Sequence, residues 1–125
     1  MAKITGILVN TTKGTARKAT IEKSLDGSYK ALGCTCIDIV SRQIGPHRVD
    51  IIYDDESLLT ACPIPSAFDS QQRPCLCGSL FICAFDGADD VTSLPDDTIS
   101  DILQHYVRQA YSPRGSWSVL YPCNY

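Results

Sequence analysis

The segment from Cys36 to Asp55, CIDIVSRQIGPHRVDIIYDD, sets two β-prone runs on either side of a Gly45-Pro46-His47 break and constrains the fold more than any other stretch. Ile37 and Ile39 alternate with Asp38 in the first arm, and Val49, Ile51 and Tyr53 alternate with Asp50 and Ile52 in the second. A period of two marks strands, so the segment reads as a hairpin with one clearly apolar face on each arm. Val40 and Ile52 fall on the opposite side, which implies that this side is partly covered as well, by a helix or another chain.

The flanking segments supply partners for the hairpin. Lys3 to Asn10 reads as a strand whose middle is weakened by Gly6, and Ala16 to Glu22 as a returning strand after a turn from Thr11 to Gly14. Ser24 is placed to cap a short helix through Leu25, Ser28, Tyr29 and Leu32, and Gly33 stands where a left-handed stop belongs. After the acidic turn Asp54-Asp55-Glu56, Leu58 and Leu59 begin a short apolar element, and Pro63 and Pro65 argue against regular pairing beyond it. Ser66 to Pro74 is loop-like and is the longest candidate binding loop. Ser79 to Phe85 is a nearly continuous apolar run and reads as a buried strand. Pro95, Asp96 and Asp97 announce the longest helix; Ile99, Ile102, Leu103, Tyr106, Val107 and Ala110 recur at three and four, which predicts an end near Tyr111. The order implies a single α+β domain over residues 1–111, with a mostly antiparallel sheet around the central hairpin and one short and one long helix packed on it. Residues 112–125 are expected as a C-terminal extension that adds an edge strand or crosses to another subunit.

Composition narrows function by exclusion. The formal charge is only -3, with 11 Lys+Arg scattered among 14 Asp+Glu, so neither the basic patch of a nucleic-acid binder nor the carboxylate carpet of a DNA mimic is present. No membrane association is expected, because no run approaches the roughly 20 apolar residues of a span. The first ten residues lack a secretory core, so the seven cysteines are expected as mostly reduced thiols in the cytoplasm.

Cys34-x-Cys36 and Cys75-x-Cys77 could supply four thiolates to zinc, but one intervening residue is too few for the usual knuckle, and no metal is expected. The acidic clusters at Asp54-Asp55-Glu56, at Asp86 with Asp89-Asp90, and at Asp96-Asp97 with Asp101 are explained by turns and a helix N-terminus. Nothing places His47 or His105 beside a particular thiol. No glycine-rich phosphate loop, G-x-S-x-G or H-E-x-x-H occurs, so no catalytic residue and no cofactor are assigned and a non-enzymatic role is favoured. Binding is then the reading to pursue. Arg42, His47 and Arg48 lie toward the hairpin tip, Arg73 in the loop, and Arg108 and Arg114 about the end of the long helix. Guanidinium groups suit phosphates, and Phe68, Tyr111 and Trp117 could stack a base; each of these side chains can equally be a solvated face or core.

Three stretches, VDIIYDDESLL at Val49 to Leu59, GSLFIC at Gly78 to Cys83 and DDVTSLPDDTI at Asp89 to Ile99, make the chain resemble a family of small proteins of unknown function carried by bacteriophages and conjugative elements. The resemblance covers Lys3 to Val107 and brings no catalytic motif. It implies a mobile-element accessory protein in the cytoplasm of a bacterial host, acting in counter-defence. Two modes are open: a homo-oligomer that sequesters a small signalling nucleotide, or an adaptor or inhibitor that occupies a host protein.

Overall fold

The computed structural model describes residues 2–56, 63–85, 91–113 and 115–125. Strands β1 (Lys3–Asn10) and β2 (Thr15–Glu22) pair antiparallel along their whole length, from Lys3 opposite Glu22 to Asn10 opposite Thr15. Helix α1 (Leu25–Leu32) begins where Ser24 Oγ accepts the Gly27 N–H at 3.0 Å. It stops where Gly33, in the left-handed conformation, donates its N–H to the Tyr29 carbonyl.

The hairpin forms as β3 (Ile37–Ile44) and β4 (His47–Asp54), joined by a two-residue loop in which Gly45 has φ +56°. A positive φ at this place suits the primed turns, whose twist matches that of the strands. The loop length also settles which face each side chain takes. Ile44 stands opposite His47, Val40 opposite Ile51 and Ile39 opposite Ile52. Ile37 and Ile39 therefore share a face with Ile52, and Val49 and Ile51 share the other with Val40. The apolar stripes of the two arms point to opposite sides of the sheet.

The remaining elements are β5 (Pro65–Phe68), β6 (Pro74–Cys77), β7 (Leu80–Phe85), β8 (Val91–Thr92), α2 (Asp96–His105), β9 (Val107–Ser112), β10 (Gly115–Leu120) and β11 (Cys123–Asn124). One sheet runs β11-β3-β4-β7-β1-β2, with β8 added to β7; the second runs β6-β5-β10-β9. The pairs of the first sheet are antiparallel, whereas β5 and β10 run parallel, with Leu120 opposite Ala67. The molecule is thus α+β, as the element order implies. Each face of the first sheet has its own core. Ile4, Leu8, Ile21, Ile52 and Phe81 pack with Leu32 of α1 on one side. On the other, Ile7, Val9, Val49, Ile51 and Ile82 pack with Ile99 and Ile102 of α2 and with Ala67, Leu76 and Leu120 of the second sheet.

Three expectations change. Helix α2 ends at His105, not near Tyr111, and residues 107–112 instead form a strand paired with β10 from Val107–Leu120 to Ser112–Gly115. Pro65 does not prevent pairing: it opens β5, a place where a strand tolerates proline, and stands opposite Cys77. The loop expected over Ser66 to Pro74 shrinks to residues 69–73 because strands take both ends. Residues 115–120 lie between β5 and β9 inside the second sheet, while 123–124 pair with β3 at the edge of the first. The apolar element expected at Leu58 and Leu59, Arg114, and the acidic residues Asp86, Asp89 and Asp90 lie outside the described residues.

Candidate functional site

The strand character of residues 107–112 decides which candidate residues can meet. On a helix, Arg108 and Tyr111 would share a face at a spacing of three; on β9 they point to opposite faces. The register sets Arg108 beside Val119 and Ala110 beside Trp117, so these four side chains lie on one face of the β9–β10 ribbon, and Tyr111 with Ser116 lies on the other. Arg108 and Phe68, from separate elements, then line a cleft of about 350 Å³ together with Gln72, Val119 and Tyr121. The Arg108 guanidinium lies 5.8 Å from the centre of the Tyr121 ring. Cation, aromatic faces and a side-chain amide therefore converge on one concavity, the combination that holds small polar aromatic ligands.

The loop after β5 is built to present Gln72. Asp69 Oδ1 accepts the N–H groups of Gln71 and Arg73, each at 2.9 Å, and the Asp69 carbonyl accepts the Gln72 N–H. Gln72 itself has φ +63°, a conformation that a residue with a Cβ takes only at some cost. The Arg73 N–H holds the Asp69 carboxyl below its ordinary range, and the Gln71 N–H and the Arg73 charge act in the same direction against burial. Arg73 is thereby a strut of the loop: its Nε lies 3.3 Å from Asp69 Oδ2, and its side chain does not line the cleft.

The hairpin-tip group divides. Arg42 and His47 stand opposite Val49 and Ile44 on one face of the hairpin, and Arg48 stands opposite Gln43 on the other. His47 Nε2 meets Asp101 Oδ2 of α2 at 2.6 Å, a bond between the hairpin and the helix. Arg42 donates from Nη1 to the Ser41 carbonyl at 2.9 Å and lies over the Tyr125 ring, 4.3 Å from its centre. Arg48 is exposed. The three do not make one site.

Trp117 borders a second cleft, of about 460 Å³, with Lys13, Gly14 and Ile64 among its walls, and donates Nε1–H to the Pro65 carbonyl at 2.7 Å. Tyr111 is 78% exposed and Arg114 lies outside the described residues. Sequence reasoning missed Gln72 as a cleft residue, and also Tyr121. The run Asp69 to Arg73 does carry a signal, since an aspartate that opens a turn accepts from the backbone ahead of it.

Thiol chemistry differs among the six described cysteines. Burial raises Cys83 to about 12 and also raises Cys34 and Cys77, and a hydrogen bond to Glu56 raises Cys36. Cys75 is lowered, first by its hydrogen bond with the Cys123 thiol and then by the Arg42 charge. No group of three or more metal-ligating side chains is assembled among the described residues, and no helix among them is long and apolar enough to cross a membrane.

No curated protein and no solved structure matches the chain. A family model does, over residues 4–107, which takes in everything from β1 to the first residue of β9. On that match the chain belongs to the family described as Domain of unknown function (DUF3846).

Proposed function

We propose that the protein is a binding protein that takes a small nucleotide in the cleft between Phe68, Arg108 and Tyr121. The observation that carries this reading is the meeting of Arg108 with Phe68 and Tyr121 around one concavity. A guanidinium donates paired hydrogen bonds to a phosphate. An aromatic face that stacks a base contributes about 1–3 kcal/mol. The volume, about 350 Å³, stands near the lower end of the roughly 300–1,000 Å³ of small-molecule sites, room for a base and its phosphate. On the resemblance to mobile-element proteins, the ligand is a signalling nucleotide of the host and the role is counter-defence by sequestration, without turnover.

The test is to incubate the purified chain with a panel of linear and cyclic nucleotides, remove free ligand, heat the protein, and identify what is released. Intact ligand is expected, with retention falling about tenfold to a hundredfold in Arg108→Ala, which corresponds to losing roughly 1.4–3 kcal/mol. Failure to retain any nucleotide, or recovery of a cleaved product only, refutes sequestration. One observation favours the alternative of an adaptor or inhibitor of a host protein: Tyr111 is highly exposed on β9, which among the described residues stands at the end of the second sheet. A single stoichiometric partner that survives Arg108→Ala and is lost in Tyr111→Ala would support that reading over the first.

A further inference from the structure

We infer that the cleft of Phe68, Arg108 and Tyr121 is one half of a two-base site, and that its ligand is a dinucleotide whose second base stacks on Trp117 and whose second phosphate meets Lys13. This rests on the nucleotide reading of the first cleft and extends it along the same sheet. Arg108, Ala110 and Ser112 of β9 alternate onto one face, where Val119, Trp117 and Gly115 of β10 stand opposite them in register. Arg108, Ala110 and Val119 line the first cleft, and Ser112, Gly115 and Trp117 the second. The change from one cleft to the other falls at the Ala110–Trp117 pair, so the two adjoin on one face of one ribbon. Strand β5 walls both, with Phe68 in the first and Pro65 in the second.

The second cleft repeats the chemistry of the first, a cation beside an aromatic ring. Lys13 comes from the turn between β1 and β2, where Asn10 Oδ1 accepts its backbone N–H at 3.0 Å. The next residue, Gly14, has φ +71° and brings this turn against β10, so that its carbonyl accepts the Ser118 N–H at 3.1 Å. A Cβ on Gly14 would stand 3.0 Å from the Ser116 carbonyl oxygen, so the approach that sets Lys13 beside Trp117 depends on glycine. Trp117 is half-buried, and its Nε1–H bond to the Pro65 carbonyl at 2.7 Å fixes the indole in place. A ring that is already held loses little freedom when a base stacks on it.

Spacing and volume both fit two linked nucleotides. Trp117 stands diagonally across the ribbon from Arg108, a separation of about 7–8 Å in an antiparallel pair. One ribose and its phosphodiester span a step of this order, so a phosphate on Arg108 leaves the next base over the indole. The second cleft, about 460 Å³, is no smaller than the first, about 350 Å³, and has room for another base and phosphate. Among the described residues each lining contains one cation, Arg108 in the first and Lys13 in the second. Two cations match two phosphates, and not the longer charged track of a groove that holds a nucleic-acid strand.

The experiment titrates the full chain calorimetrically, at one salt concentration, with 5′-AMP, the linear dinucleotide pApA, cyclic diadenylate and a linear adenine tetranucleotide. At least one of the two dinucleotides should bind about tenfold or more tighter than AMP, because the second base and phosphate engage without a second loss of free motion. Trp117→Ala should abolish this gain and Lys13→Gln should lower it several-fold, each leaving the AMP affinity within about twofold of the parent. Lys13 is exposed on a turn, so its substitution keeps the test valid even where loss of the indole disturbs the sheet. Dinucleotides that bind no tighter than AMP, or a gain that survives Lys13→Gln and Trp117→Ala, overturn the two-base site and leave the first cleft standing. A tetranucleotide that improves on pApA by as much again overturns it in favour of a strand-binding groove. Absence of binding by all four probes overturns both the extension and the nucleotide reading beneath it.

Discussion

Replacing Gly6 with alanine separates two physical arguments that predict opposite signs. Gly6 lies within β1, and it lacks the positive φ that would restrict the position to glycine on backbone grounds. On propensity alone, alanine should stabilise the chain by roughly 0.5–1 kcal/mol, because glycine loses more conformational freedom on folding. The surroundings argue otherwise. A Cβ on Gly6 would stand 1.9 Å from the Ile82 carbonyl oxygen and 3.0 Å from Phe81 Cζ. The oxygen belongs to β7, whose Leu80, Phe81 and Ile82 stand opposite Val9, Leu8 and Ile7, so it cannot move without parting two central strands. Overpacking of this kind costs about 1–3 kcal/mol, and each ladder hydrogen bond lost adds about 0.5–1.5 kcal/mol. The steric effect wins, and Gly6→Ala should be destabilised by about 2–3 kcal/mol net. Gly33→Ala is the control: its Cβ meets nothing within 4 Å, and its φ of +66° sets a cost of about 1 kcal/mol. Urea denaturation followed by circular dichroism reads both, with the loss appearing in the midpoint and not in the slope. A Gly6→Ala chain as stable as the parent, or more so, would refute the close approach of β1 to β7.

Ile102→Ala, at a position with 0% exposure between α2 and the first sheet, should lose about 2–5 kcal/mol in the same titration; a loss below about 1 kcal/mol would mean that α2 is not docked there. In acid, the Asp69 loop should loosen before the sheets do. The folded carboxyl lies below its ordinary 3.8, so the unfolded state binds the extra proton and the contribution to stability is present above that value and lost as pH falls through the folded one. Amide NMR shifts of Gln71 and Arg73 should follow that titration and become flat in Asp69→Asn; a transition at or above 3.8 would contradict it.

The hairpin and the short helix were legible because their signals are local. Alternation over Ile37 to Tyr53 needs no knowledge of distant chain, and Ser24 and Gly33 mark the ends of α1 by their own chemistry. The face of each hairpin residue was not legible until the loop proved to be two residues long, since one residue more or less moves every side chain of an arm to the other side. Helix α2 was overrun for a related reason. Apolar spacing at three and four continues through Ala110, yet Tyr106 leaves the helix at φ -124° and ψ 16°, and the pairing of residues 107–112 with β10 overrides the pattern. The second sheet depends on Leu120 meeting Ala67, a parallel contact that neither segment announces. Arg108 and Phe68 were therefore identifiable as residue types able to bind, but not as neighbours.

The parallel contact between β5 and β10 joins two hairpins that are made far apart along the chain. Phe68 and Gln72 come from the first of these, Arg108, Val119 and Tyr121 from the second and its continuation. Neither hairpin alone can present the cleft, and long-range pairing of this kind is the slow part of folding a β-rich chain. The proposed cleft is then completed in a single step, when the β9–β10 hairpin docks on β5. A ligand that fills the cleft would hold that junction closed, so the affinity for the ligand and the cohesion of the second sheet should rise and fall together.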